Sequence, residues 1–121
     1  MESKKQRPVS VKIRLWLERD GENQIGLGVV LLLQHIERLG SLNQAAAAMH
    51  MSYRGAWGKV KKAEQRLGQA LVNKTSGKGQ KFEVSPFGKE LMETFQSLLK
   101  DVQDHAEQRA RETLPVPIDI S

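Results

Sequence analysis

Between Gly40 and Gly68 the chain has room for two short helices and one tight corner, and this constrains the fold more than any other feature. Ser41 is followed three residues later by Gln44, the spacing of a capping box. Ala45–Ala48 then place four small side chains on a helix barely two turns long, which suits close crossing by a neighbour. Met49-His50-Met51 interrupts the pattern. Ser52 caps a second helix running to about Leu67, where Gly68 closes it. On that helix Ala56, Val60, Ala63 and Leu67 recur at helical spacing and form the expected core face, while Tyr53, Arg54, Trp57 and Lys61 cluster on another. Upstream, Val29, Leu32, Leu33, Ile36 and Leu39 predict a preceding helix that ends at Gly40.

The flanks read differently. From Val9 to Leu17 every second residue is apolar, which predicts a half-buried strand. Asp20-Gly21 is a turn signal, and Ile25 and Leu27 suit a short return strand. After Gly68, Leu71-Val72 and Phe82-Glu83-Val84 predict two short strands joined by a basic, glycine-containing loop. Ser85-Pro86 is a helix start. The helix it opens runs from Pro86 to roughly Glu112, with Leu91, Phe95, Leu98 and Val102 alternating at spacings of four and three. Leu114-Pro115-Val116-Pro117 ends it and leads into an apolar tail. The expected organisation is a basic, flexible stretch over 1–8, a folded domain over 9–84, a long helix over 85–113 and a tail over 114–121. The fold class is mainly α with small β elements (α+β).

Charge narrows the partner. Ser52 to Lys81 holds Arg54, Lys59, Lys61, Lys62, Arg66, Lys74, Lys78 and Lys81 against Glu64 alone, a net of +7 in 30 residues. The other 91 residues carry a net of −2, so the chain's formal +5 is concentrated in one quarter of its length. Such a footprint fits a phosphate backbone, whose neutralisation releases condensed counterions. With 121 residues there is material for one domain. Cysteine is absent, which excludes disulfide scaffolds, thiolate metal sites and cysteine nucleophiles. His35, His50 and His105 fall on separate elements with no ligand at metal spacing, so no metal, cofactor or catalytic site is expected. The longest apolar run, Leu27–Leu33, is too short for a membrane span. The expected compartment is the cytoplasm.

Two short helices, the second basic and serine-capped, followed by a basic hairpin, describe a winged helix-turn-helix. The first helix braces the second, whose N-terminal half meets base edges in the major groove. There Arg54 suits a bidentate pair with guanine, and Tyr53 a phosphate or a thymine methyl. Trp57 serves either as core or as reader. Lys61 and Lys62 suit phosphates, as do Lys74, Thr75, Lys78 and Lys81 on the wing. Ser52 caps at the interface.

GSLNQAAAAMHMSYRGAW (Gly40–Trp57) resembles the helix-turn-helix of the molybdate-responsive ModE regulators and, more distantly, is similar to LysR-type regulators. IRLWLERDGE (Ile13–Glu22), the Lys74–Gly79 wing and VSPFGKEL (Val84–Leu91) fit the same N-terminal domain in order. The resemblance covers about Val9 to Leu99. It implies a homodimeric, sequence-specific regulator on a palindromic operator in double-stranded DNA, paired through the long last helix (Leu91, Phe95, Leu98, Val102). ModE proteins continue into oxyanion-binding domains that are not in these 121 residues, so directly bound molybdate is not expected. The alternative is a protein-interaction module forming mixed dimers with a longer regulator.

Overall fold

A computed structural model describes residues 7–75 and 81–120, without the side chains of 22–24. The elements are β1 (Val9–Ser10), β2 (Trp16–Arg19), β3 (Glu22–Gly26), α1 (Leu27–Leu39), α2 (Leu42–Ala48), α3 (Tyr53–Leu67), β4 (Val72–Lys74), β5 (Phe82–Val84), α4 (Pro86–Thr113) and β6 (Ile118–Asp119). They group into two compact units. One comprises Trp16–Gln96, and the other joins the segment ending at Leu15 to the one beginning at Ser97. The boundary between the two units falls inside α4.

In the Trp16–Gln96 unit, β2 and β3 form an antiparallel hairpin with Leu17 opposite Ile25 and Arg19 opposite Glu22. Asp20 and Gly21 both adopt positive φ (57° and 73°), the pattern of a type I′ turn, whose twist matches that of the strands. Leu27, expected on the return strand, instead opens α1. The core is made mainly of apolar side chains, with Ser85 buried among them: Val30, Leu32, Leu33 and Ile36 of α1, Leu42, Ala45 and Ala46 of α2, Ala56, Val60 and Ala63 of α3, Leu71, Phe82 and Val84 around the wing, and Met92 and Phe95 of α4. Leu39, expected in the core stripe, is 39% exposed, and Val30 takes the buried place.

The caps follow the sequence. Ser41 Oγ accepts the Gln44 N–H at 3.0 Å, and Gly40 and Gly68 sit in left-handed geometry past the ends of α1 and α3. Between α2 and α3, His50 takes φ 57°. Its N–H reaches the Ala47 carbonyl at 3.0 Å, and the Met51 N–H reaches Ala46 at 2.9 Å. These two bonds make a Schellman closure with a histidine where glycine is usual. At the start of α4, Ser85 Oγ accepts the Gly88 N–H at 2.9 Å and donates to the Ala70 carbonyl at 2.7 Å.

In the other unit, Val9–Ser10 pairs in parallel with Ile118–Asp119. The strand expected over Val9–Leu17 is thus broken. Val11, Ile13 and Leu15 are half-buried between exposed Lys12 and Arg14, so the alternation is present, but among the described residues no strand pairs with them. The Val11 carbonyl instead accepts the Gln103 side-chain amide at 2.6 Å, and the same amide donates to the buried Glu107 at 3.0 Å. The apolar tail supplies β6, which the sequence did not suggest. Toward the end of α4, Gln108 and Arg109 hold Glu112 below the ordinary carboxylate range. The basic stretch over 1–8 lies, apart from exposed Arg7 and Pro8, outside the described residues.

Candidate nucleic-acid interface

The start of α3 sets the interface. Ser52 Oγ accepts the Gly55 N–H at 3.0 Å, so this serine anchors the first turn, and its hydroxyl hydrogen is left for an external acceptor. Tyr53 and Arg54 follow immediately and are exposed, Tyr53 by 40%. A cation in the first turn opposes the helix dipole, so Arg54 is not placed there for helix stability.

One turn on, Trp57 is half-buried. Its ring lies 5.3 Å from that of Phe82 at 42°, an arrangement that ties α3 to β5 of the wing. The Lys61 ammonium lies 4.5 Å from the Trp57 ring centroid and 3.1 Å from Glu64 Oε1. Lys61 is therefore held in place, and a phosphate would have to compete with Trp57 and Glu64 for it. Arg54, Lys59 and Lys62 are exposed and make no ion pair among the described residues. With Gly55 and Gly58 they line a depression of about 350 Å³ beside Ile25, Val29 and Ala63.

Glu64 is the only acid in the basic quarter, and it is turned inward. Its side chain is 11% exposed, and Oε2 accepts the N–H of Leu71 at 2.7 Å and of Val72 at 3.2 Å. The first wing strand is thereby attached to α3. This contact depends on a chain reversal at Gly68, and nothing in local spacing points to it.

On the wing, β4 and β5 pair with Val72 opposite Val84 and Lys74 opposite Phe82. Thr75 closes the ladder, its N–H 3.0 Å and its hydroxyl 3.3 Å from the Lys81 carbonyl. Lys74 and Lys81 are exposed, and Lys81 forms a β-bridge to Ser41 at the start of α2. Lys78 lies outside the described residues. The described site residues of α3 and of the wing base thus belong to one unit and are joined by the Trp57–Phe82 and Glu64–Leu71 contacts.

The four expected pairing residues of α4 differ in accessibility. Phe95 is 3% exposed, filling the core of its own unit, and this corrects its assignment to a partner surface. Leu91 and Val102 are half-buried, and Leu98 is 46% exposed.

Among solved structures, the chain is similar to the CbnR DNA-binding domain in complex with DNA, at 18% identity over 70% of this chain and 93% of that one, with a TM-score of 0.56. It is similar to the BenM DNA-binding domain on benA site 1 DNA, at 16% identity over 75% and 99%, TM-score 0.57. It is also similar to full-length LysG from Corynebacterium glutamicum, at 21% identity and TM-score 0.54, covering 74% of this chain and 30% of LysG. The likeness is one of fold, and the chain spans about 30% of the full-length regulator LysG. No curated protein sequence matches. No described helix is long and apolar enough to cross a membrane. The family model for bacterial regulatory helix-turn-helix proteins of the lysR type matches residues 28–89, from the first turn of α1 into the first turn of α4. With that match over half its length, and with a winged-helix fold, the chain belongs to the LysR family of regulators, a family of DNA-binding proteins rather than enzymes.

Proposed function

We propose that the chain is a sequence-specific transcription regulator that binds a palindromic operator as a homodimer in the cytoplasm. The observation that carries this reading is the outward side of α3, where Arg54 and Lys62 are exposed without an ion-pair partner among the described residues while Glu64, the one acid between Ser52 and Lys81, is turned inward. In this reading Tyr53 and Arg54 contact bases, with Trp57 at the edge of the groove. Lys61, Lys62, Lys74, Thr75, Lys78 and Lys81 contact the backbone, and Ser52 sets the helix at its phosphate. Exposed Leu98, with Leu91 and Val102, supports pairing of two copies, whose symmetry would match a two-fold operator.

The resemblance of Gly40–Trp57 to ModE regulators supports operators of molybdenum-related genes, with molybdate not bound directly by these residues. The test is a titration of fluorescently labelled duplexes at two salt concentrations, with sedimentation to give the stoichiometry. Two chains bound per palindromic site, with affinity falling steeply as salt rises, is the expected result. Salt-independent binding, or none, would leave a protein-binding role in its place.

A further inference from the structure

Gly58 stands in the middle of α3, and nothing among the described residues calls for a glycine there. Its backbone is ordinary right-handed helix, and a Cβ built on it meets no atom of the described residues within 4 Å. Its neighbours have internal reasons. Gly68 has a positive φ, and a Cβ at Gly55 would stand 3.1 Å from the capping Ser52 Oγ. Glycine weakens a helix interior relative to alanine, so its presence at position 58 is a local cost without a local return.

The surroundings show where that return lies. At 3.6 residues per turn Gly58 lies opposite the buried stripe of Ala56, Val60 and Ala63, half-buried among the residues that line the depression of about 350 Å³. Arg54 is one turn before it and Lys62 one turn after it on the same line, with Lys59 alongside. Among the described residues no acid lines the depression they share.

Resting on the reading of α3 as the helix that enters the groove, we propose that Gly58 is the point of closest approach between α3 and the bound duplex. The edge of a base pair there touches the helix backbone in the space a Cβ would fill. A major groove about 12 Å wide takes a helix about 10–12 Å across with little clearance. Leaving out a side chain at this position, between Arg54 and Lys62, lets the axis sit deeper, and this brings Arg54 onto base edges and Lys62 to the flanking backbone.

The experiment uses the full chain with Gly58→Ala and Gly58→Leu. Each is measured for thermal midpoint and for affinity to two duplexes, one enriched from a random library by the unmodified chain and one of scrambled sequence. Gly58→Ala is expected to raise the midpoint while weakening binding to the enriched duplex by about tenfold or more, with a much smaller change on the scrambled one. Gly58→Leu is expected to erase the preference between the two, with the salt slope kept.

Unchanged affinity in both variants overturns the proposal. So does a lowered midpoint in Gly58→Ala, which would reveal an internal packing role. Equal losses on the two duplexes with a shallower salt slope overturn it too, by assigning the position to phosphate. If the unmodified chain enriches no duplex, the regulator reading itself fails; if it does and the variants match it, only the role of Gly58 fails.

Discussion

Glu64 Oε2 accepts the backbone N–H of Leu71 at 2.7 Å, and through this bond the last turn of α3 holds the first residues of the wing. The same oxygen takes the Val72 N–H at 3.2 Å, so one carboxylate satisfies two part-buried donors. Hydrogen bonds to a charged group contribute about 1.5–3 kcal/mol each, and leaving buried donors unmet is costly. Glu64→Ala should therefore lower unfolding free energy by about 2–4 kcal/mol in urea titration. Glu64→Gln, which keeps one acceptor, should lose less. Stability equal to the parent in both variants would mean that the wing is held by something else.

Gly88 lies where α4 enters the core. A Cβ there would collide with the Leu71 carbonyl oxygen and stand 2.8 Å from Val84 Cγ1. Because the obstacle is backbone, it cannot rotate away. Gly88→Ala should destabilise by about 1–3 kcal/mol, although alanine is the better helix former. A raised thermal midpoint would contradict the contact.

The turn between α2 and α3 predicts an effect of opposite sign. His50 holds φ 57° with its N–H bonded to Ala47, a conformation that disfavours side chains and suits glycine. His50→Gly should stabilise by about 0.5–1 kcal/mol, read as a shift in urea midpoint at unchanged slope.

Trp57 joins α3 to the wing through Phe82 and supports the Lys61 ammonium. Trp57→Phe should keep most of this contact. Trp57→Ala should cost about 2–3 kcal/mol, less than a fully buried tryptophan, because Trp57 is only half-buried. Chemical denaturation of both variants separates the two outcomes.

Arg54 tests the reading of bases. Arg54→Ala should relax preference at one base pair by about 1–3 kcal/mol in competition between single-substitution duplexes. Lys81→Gln, by contrast, should weaken all duplexes alike and reduce the salt slope by about 0.9. A uniform loss for Arg54→Ala would make it a phosphate contact.

Most of the helical framework was legible from single residues with local consequences. Ser41, Ser52 and Ser85 mark helix starts and Gly40 and Gly68 mark ends, because capping is decided within one turn. The alternation from Val9 to Leu17 holds as partial burial at Val11, Ile13, Leu15 and Leu17 but not at Val9, and as strand only at its two ends, Val9–Ser10 and Trp16–Leu17. Period-two exposure only says that the chain is extended against something; the Gln103 amide, rather than a neighbouring strand, meets Val11. Phe95 and Leu98 shared one helical stripe in the sequence but differ in accessibility, since a stripe does not say where its own core stops. The roles of Glu64 and Gly88 were hidden because each rests on the Leu71 backbone, which reaches them only after the chain has reversed.

The parallel alignment of Val9–Ser10 with Ile118–Asp119 joins positions separated by nearly the whole chain. Closing so large a loop brings a heavy entropic toll and is rewarded by a ladder two residues long, which orders events in time. The helices and the hairpins, built from near neighbours, are expected to assemble early, and the clasp between β1 and β6 to shut last and open first. Amide exchange at Val9, whose N–H is held by the Pro117 carbonyl at 2.9 Å, would then proceed through brief local opening while Leu32 and Val60 stay protected until the whole domain melts.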